Sequence, residues 1–245
     1  MIDVHSHILP GLDDGPQTWE DSLQMARLAV EDGIHTMVAS PHLFKHRSVN
    51  LAEINQKDEI LNKITEFKQK LLTAAIDLEI LPGCDFPLSF ESLQLLEEGR
   101  VFTINDAKRY LLLEFPDSSL PPATEDICFR LQSQGITPII THPERHFILQ
   151  EMPKKLGRLL DLGCLAQLTG ASLTGGFGRQ VARVSREMMR KGYIHLLASD
   201  AHDTKRRPPL LRKALKEASS LVGKEQALAM VTVNPEKIIR GEPWF

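Results

Sequence analysis

The chain opens with Ile2-Asp3-Val4-His5-Ser6-His7, a short apolar run that ends in two histidines. Alternate residues of a β-strand point to the same side, so both imidazoles can reach one metal ion. This pair is a weak signal by itself, since two histidines at the end of a strand can equally lack a ligand. The stretch decides the fold only in combination with the clusters that follow it.

Five further clusters of histidine or acidic residues each follow a short apolar run. They are Pro41-His42, Gly83-Cys84-Asp85, Glu114-Phe115-Pro116, His142-Pro143-Glu144-Arg145 and Ser199-Asp200-Ala201-His202. A barrel of parallel strands presents whatever follows each strand at one common mouth. We therefore expect the clusters to converge on one site, and their residue types suit borderline and hard divalent metals.

Short β-rich segments alternate with helical patterns along the whole chain. Strands are predicted at 2–4, 36–39, 78–81, 110–113, 137–140, 165–168 and 194–198, and helices at 18–31, 51–75, 122–134, 153–162, 178–191 and 209–221. Strands this apolar that alternate with helices indicate a parallel α/β architecture, here as a single domain over residues 1–245. An open sheet places ligands only beside its switch point, whereas six strands carry clusters, so a barrel is favoured.

The composition indicates one substantial core and no nucleic-acid surface. The 245 residues are 42% hydrophobic and carry a formal net charge of -3, without a long basic run. No apolar stretch approaches the roughly 20 residues of a membrane helix, and the first residues lack a secretory signal pattern. Three widely separated cysteines favour a reducing compartment, so we expect a cytoplasmic protein.

A turn-rich loop before the first helix contains adjacent carboxylates, Asp13 and Asp14. One can cap the helix and the other is then free to bind metal; Asp14 is favoured as the ligand, with Asp13 as the structural alternative. Glu114, His42 and His142 each end an apolar strand, where an unpaired charge is costly. For each of them alone, a salt bridge or a buried histidine is an equally good explanation. Their joint occurrence favours a metal site.

Two arginines, Arg145 and Arg207, lie within a few residues of these candidates and can form forks for the oxygens of a phosphoryl group. The alternative is surface pairing with Glu144 or Asp203. Other phosphate and acyl chemistries lack their motifs, since the sequence has no Cys-x5-Arg loop, no Gly-x4-Gly-Lys-Ser/Thr loop and no Gly-x-Ser-x-Gly elbow. Metal-activated water remains as the nucleophile.

Taken in order, these motifs resemble those of the PHP (polymerase and histidinol phosphatase) superfamily, and more closely its bacterial tyrosine-protein phosphatase branch from capsule and exopolysaccharide operons. The resemblance rests on Asp3-Val-His-Ser-His-Ile-Leu-Pro-Gly-Leu-Asp-Asp-Gly15, Ser40-Pro-His42, Leu113-Glu-Phe-Pro116, His142-Pro-Glu-Arg145 and Ser199-Asp-Ala-His202. It covers most of the chain and implies a distorted (β/α)7 TIM-like barrel with three divalent metal ions, commonly manganese, with iron or zinc as alternatives.

The resemblance also implies roles for individual residues. The expected ligands are His5, His7 and Asp200 for one ion, Glu114 and His142 for a second, and Asp14, His42 and His202 for a third. Asp85 is expected to bridge the first two ions, although related sequences typically carry the longer Glu there, so ion spacing or metal preference can differ. Arg145 and Arg207 match the phosphate-binding arginines, and His202 or Asp14 is a candidate to protonate the leaving phenolate.

The implied function is hydrolysis of phosphotyrosine on a bacterial tyrosine kinase of polysaccharide export. The alternatives are another PHP phosphoesterase, such as histidinol-phosphate phosphatase, and a non-catalytic regulatory barrel that binds metal. We also expect the loop Leu43-Phe44-Lys45-His46-Arg47, together with Phe86 and Phe147, to form a rim that grips the phosphotyrosine ring.

Overall fold

The structure, a computed structural model, describes residues 1–44, 54–116 and 119–244. Its strands are β1 Ile2–Ser6, β2 Thr36–Ala39, β3 Glu79–Pro82, β4 Asp85–Pro87, β5 Tyr110–Glu114, β6 Thr137–Thr141, β7 Leu165–Thr169 and β8 Leu196–Ala198. Its α-helices are α1 Trp19–Glu31, α2 Lys57–Thr73, α3 Phe90–Glu97, α4 Thr124–Ser133, α5 Phe147–Glu151, α6 Pro153–Asp161, α7 Gly170–Leu173, α8 Arg179–Arg190, α9 Arg212–Val222, α10 Lys224–Ala229 and α11 Val233–Arg240, and a 3-10 helix covers Ile104–Asp106.

All seven predicted strands are present, each close to its predicted bounds. The sequence patterns missed β4 and the short helices α3, α5, α7, α10 and α11, because segments of three to eight residues carry little periodicity. The predicted start of the second helix, residues 51–53, lies outside the described residues, and α2 begins at Lys57.

The strand pairs are parallel and form two sheets, ordered β1-β2-β3 and β4-β5-β6-β7-β8. Parallel bridges join the sheets at both borders, Ser6 with Ala201 and His42 with Asp85. Backbone hydrogen bonds support these junctions, since His7 donates to Ala201 at 2.8 Å and Asp85 donates to Pro41 at 3.0 Å. The pairing therefore closes into a ring, and the predicted parallel α/β architecture is confirmed.

Between β3 and β4 the chain crosses close to β2 at Gly83. A Cβ atom at this position would lie 2.5 Å from Val38 Cγ1, so any larger residue would force the strands apart. With glycine there, the chain bends between β3, which pairs with β2, and β4, which pairs with β5. The bend also places Asp85, the first residue of β4, level with the end of β2.

The strands are buried on both faces. Leu112 and Ile139 belong to one apolar cluster, whereas their neighbours Leu111, Leu113 and Ile140 belong to a larger cluster that includes the helices. Because successive strand residues point to opposite faces, both sides of the sheet are covered by apolar side chains. This double burial is the physical reason for the uniformly apolar strand sequences.

Helix α1 is capped by Thr18, whose side chain accepts a hydrogen bond from the backbone nitrogen of Asp21. The prediction that Asp13 or Asp14 caps this helix is therefore wrong, and both carboxylates are left for other roles. In the described ranges, no helix has the length and apolar character needed to cross a membrane. The three cysteines are buried and free.

Candidate metal centre

The predicted metal ligands gather at the end of the ring where the strands finish. His5 is the penultimate residue of β1 and His7 directly follows the strand, Glu114 is the last residue of β5, and Asp85 lies beside the end of β2. The remaining ligands follow β2, β6 and β8 directly or come from the first loop, namely His42, His142, Asp200, His202 and Asp14. Parallel strands that close into a ring present these residues at one common mouth, as the sequence predicts.

Three overlapping groups of side chains have the geometry for metal binding: His5, His7 and Asp200; His42, Asp85 and Glu114; and His7, Asp14, His42 and His202. In each group the candidate ligand atoms all lie within 4.8 Å of one another. These groups resemble the three expected ligand sets but are not identical to them. His7 and His42 each belong to two groups, so each of these side chains lies between two candidate metal positions.

The first and third groups meet at His7. The Oδ1 atom of Asp200 lies 3.6 Å from His5 Nε2 and 3.5 Å from His7 Nε2. In the third group, Asp14 Oδ1 lies 3.2 Å from His202 Nε2 and 3.5 Å from His42 Nε2. Asp14 therefore contacts two of the histidines with which the resemblance pairs it.

The second group centres on His42 rather than on His142. His42 Nδ1 lies 3.2 Å from Asp85 Oδ2 and 3.4 Å from Glu114 Oε2. His142 lies at the edge of this group, with its Nε2 atom 3.5 Å from Glu114 Oε1. The structure thus brings Glu114 and His142 together as expected and adds His42 to them.

Asp85 is the side chain whose surroundings most clearly fit a metal ion. Its carboxylate is fully buried, and neither oxygen has a hydrogen-bond partner among the described residues. Oδ2 lies between two ligand groups, 3.6 Å from His5 Nε2 and 3.2 Å from His42 Nδ1. A buried carboxylate without hydrogen bonds is costly unless cations compensate it, so the donor set fits divalent ions. The shorter side chain still reaches both groups.

Hydrogen bonds from outside the predicted set hold the ligand imidazoles. Asp13 Oδ2 accepts from His7 Nδ1 at 2.6 Å and from the backbone nitrogen of His42 at 3.0 Å. Gln167 Oε1 lies 2.9 Å from His5 Nδ1. Such partners fix the ring orientation and turn the Nε2 atoms of His5 and His7 towards each other and towards Asp200. The sequence analysis missed Gln167, although a polar residue within the apolar strand β7 was a usable signal.

The pKa values describe a strongly coupled cluster of charges. Burial opposes the charged imidazole of His5, but Asp85 and Asp200 outweigh it and raise the pKa of His5 to about 9. Burial and Asp85 raise the pKa of Glu114, and hydrogen bonds from His142 and His42 reverse this and lower it to about 2. The carboxylates are therefore ionised at neutral pH, as metal binding requires.

The two predicted arginines converge on one carboxylate oxygen. Arg145 Nη2 lies 2.7 Å and Arg207 Nη2 2.6 Å from Asp200 Oδ2, so the alternative pairing with Glu144 or Asp203 side chains is wrong for both. They border a cavity of about 220 Å³, here called the arginine cavity, whose lining is Glu114, Phe115, Thr141, His142, Arg145, His146, Phe177 and Arg207. The cavity joins the guanidinium groups to the second ligand group through Glu114 and His142.

The predicted aromatic rim is not formed as expected. Phe44 and Phe86 are buried in the core, with 2% and 0% exposure, and only Phe147 is exposed. Lys45, His46 and Arg47 lie outside the described residues. The phenylalanines that line the arginine cavity are instead Phe115 and Phe177, and Phe177 lies outside the motifs identified from the sequence.

Two residues of the centre have unusual backbone conformations. His142 has a φ of 34° and Asp200 a φ of 52°, in the left-handed region that non-glycine residues rarely occupy. Each such residue costs about 1–3 kcal/mol and persists only where the surrounding structure enforces it. Both strained residues are also ones whose side chains contact other candidate ligands.

The family model described as "Capsular polysaccharide synthesis, CpsB/CapC" matches residues 1–240. Among named relatives, "Tyrosine-protein phosphatase YwqE" of Bacillus subtilis is 36% identical over 245 residues, which is 100% of this chain and 94% of the relative. "Tyrosine-protein phosphatase CpsB" of Streptococcus pneumoniae is 29% identical, with 98% of each chain covered.

Solved structures show the same likeness. A structure described as one of the "unique metal-dependent tyrosine phosphatases" YwqE and CpsB superposes with a TM-score of 0.94 at 35% identity, covering 100% of this chain and 96% of the other. The phosphotriesterase homology protein of Escherichia coli, solved with phosphate in its active site, gives a TM-score of 0.58 at 10% identity, covering 97% and 98%. At that identity the likeness concerns the fold alone.

Replacing Asp13 with asparagine is expected to weaken metal binding without removing a ligand. Asp13→Asn keeps the size of the side chain but loses the charge that orients His7, and loss of such a partner typically costs 10–100-fold in affinity, so about that range is expected. Calorimetric titration with Mn²⁺ measures the change. Asp161→Asn, at the exposed end of α6, is the matched control, and equal affinities for both variants would contradict the assigned role of Asp13.

Metal binding is expected to depend on pH through His5. Its pKa of about 9 in the metal-free fold exceeds the ordinary value of 6.5, so the charged form stabilises the metal-free protein below pH 6.5, and this contribution is lost as pH rises through 9. A metal ion must displace that proton, so Mn²⁺ affinity should rise about tenfold or more per pH unit between pH 7 and 8. Titration in buffers of different ionisation heats counts the protons released, and an affinity that does not change with pH would refute the expectation.

Proposed function

Because the chain belongs to the capsular polysaccharide synthesis CpsB/CapC family, we propose that it is a metal-dependent protein-tyrosine phosphatase, a phosphoric monoester hydrolase. The observation that carries the proposal is the contact between the candidate metal ligands and the arginine pair. Asp200, of the first ligand group, contacts both arginines, and Glu114, of the second group, lines their cavity together with His142. Ligands for cations and forks for a phosphoryl group therefore stand side by side.

We assign the ligands as a proposal that follows the contacts. His5, His7 and Asp200 would hold one ion, Glu114, His142 and His42 a second, and Asp14, His42 and His202 a third, with Asp85 between the first two. Mixed histidine and carboxylate donors suit Mn²⁺, and Fe²⁺ or Zn²⁺ are compatible with the same donors. A divalent ion at such a site supplies Lewis acidity and a water of lowered pKa, which is the nucleophile that the chain itself lacks.

The protein's own groups bind and orient the phosphate ester. Arg145 and Arg207 each present a guanidinium to the cavity, and we propose that they exchange their contact with Asp200 for the oxygens of the phosphoryl group. Charge that builds on those oxygens during in-line displacement is then met by two cations that are already in position.

The leaving phenolate receives no proton from His202 or Asp14 in this proposal. Burial lowers the pKa of His202 to about 4, so its imidazole is neutral at pH 7. Although burial opposes it, hydrogen bonds from His202 and His42 hold the pKa of Asp14 well below its usual range. A phenol has a pKa of about 10, so its anion leaves readily and solvent can protonate it. Neither residue is therefore needed as a general acid, and that role stays a prediction from the resemblance.

We propose that the physiological substrate is a phosphotyrosine-bearing protein, a bacterial tyrosine kinase of polysaccharide export, and that both act in the cytoplasm. Support comes from the family's description, which concerns capsular polysaccharide synthesis, and from the relatives named as tyrosine-protein phosphatases. A net charge of -3 gives no reason to expect a nucleic-acid partner.

Substrate preference tests the proposal directly. The protein reconstituted with Mn²⁺ should hydrolyse a phosphotyrosine peptide with a higher kcat/KM than histidinol phosphate, and a chelator should abolish the activity. A strong preference for histidinol phosphate would instead assign the protein to the other phosphoesterase class. Absence of any hydrolysis, with no metal retained, would favour a regulatory barrel.

The arginine pair offers a second, local test. Removing one charged donor from the transition state typically costs about 10²–10³ in kcat, so Arg145→Ala and Arg207→Ala should each lose roughly that factor on a phosphotyrosine peptide. Arg206→Ala is the matched control, because this neighbouring arginine is exposed and lies outside the cavity. If Arg206→Ala lost as much activity as the other two variants, the assignment of the forks would be wrong.

A further inference from the structure

The arginine cavity contains two phenylalanines with different surroundings. Phe115 is 6% exposed, and its ring is engaged edge-on with His146, at 5.9 Å between centroids. Phe177 is only half-buried and lines the same cavity. Of the two rings, Phe177 therefore has the larger surface available to a bound molecule.

Phe177 also contacts both arginines. The Cζ atom of Arg145 lies 4.8 Å from the centroid of the Phe177 ring, and the Cζ atom of Arg207 lies 5.9 Å from it. Both distances are within the range of cation–π attraction. One ring thus supports the two guanidinium groups that face Asp200, and its position is fixed relative to the place where a phosphoryl group would bind.

The backbone of the surrounding loop presents this ring. Phe177 lies in Gly175-Gly176-Phe177-Gly178, where the Gly178 nitrogen donates to the Gly175 carbonyl at 3.0 Å. Gly175 and Gly178 have φ values of 94° and 91°, which side-chain-bearing residues rarely adopt. The loop is a tight turn that ends directly at helix α8, so the ring is held by a short connection between helices.

We propose that Phe177 is the aromatic wall that makes the site select aryl over alkyl phosphate esters. The inference rests on the proposed function and adds a specificity residue to it. In an aryl ester the ring carbon is bonded to the bridging oxygen, two bonds from phosphorus, so a phosphate held by Arg145 and Arg207 places the ring within reach of Phe177. An alkyl ester such as phosphoserine offers no ring at this distance. Packing of two aromatic rings then favours phosphotyrosine.

Two phosphonates that are not hydrolysed provide the test. Phenylphosphonate carries a ring directly on phosphorus and methylphosphonate does not, so the ratio of their Kd values on the Mn²⁺-loaded protein measures the preference for the ring alone. Phe177→Leu keeps an apolar side chain and should reduce this ratio about fivefold, the size expected for one aromatic pair. Phe177→Tyr keeps a ring and should retain the ratio.

The control variant is Phe129→Leu, the same substitution at a residue that is 65% exposed on α4 and does not line the cavity. It should leave the ratio unchanged. Hydrolysis is measured in parallel, and Phe177→Leu is expected to lower kcat/KM for a phosphotyrosine peptide about fivefold more than for a phosphoserine peptide.

Two outcomes overturn the inference: equal binding of both phosphonates by the unmodified protein, and an unchanged ratio in Phe177→Leu, whether neither ligand weakens or both weaken equally. Equal weakening would mean that Phe177 acts only by holding the arginines. Failure of the proposed function is a separate result. It would appear as no hydrolysis of phosphotyrosine by the unmodified protein, while the phosphonate ratio would still report whether Phe177 selects an aromatic ligand.

Discussion

The buried carboxylate of Asp200 is the charge on which the rest of the centre depends. One of its oxygens meets Arg145 and Arg207, and the other faces His5 and His7. A carboxylate this deeply buried is unfavourable without compensating cations, and breaking one partnership leaves the others unbalanced. The candidate metal-ligand groups and the arginine pair are therefore one electrostatic unit rather than two neighbouring sites.

Closure of the ring makes this unit possible. β1 and the segment after β8 are joined through Asp3, whose Oδ1 atom accepts from the Ser199 nitrogen at 3.0 Å across 196 positions of sequence. On the opposite side, Gly83 lets the chain bend so that Asp85 lies beside His42. Each junction places an acidic residue next to a histidine from a distant strand. Strain at His142 and Asp200 is maintained by this closed framework.

The fold itself does not specify the reaction. A phosphotriesterase homology protein has a related fold at 10% identity, so the chemistry depends on side chains at the mouth. Here those side chains act in two layers. Histidines and carboxylates form the groups whose geometry suits cations, and Arg145, Arg207 and Phe177 define the shape and charge of the space beside them. The second layer is where selection among phosphate esters would be made.

The sequence by itself determined the parallel α/β architecture and nearly all of the centre's members. Apolar strand runs that end in histidine or acid encode both, because burial on two faces requires the runs and the mouth of the ring collects their ends. The sequence could not show which candidate ligands group together, because strand geometry determines which ring nitrogen of His42 faces Asp85 and which faces Asp14. The roles of Gln167 and Phe177 also depend on tertiary structure. One is a lone polar residue in a strand and the other a lone aromatic residue in a glycine-rich turn, and only the residues across the ring show what each contacts.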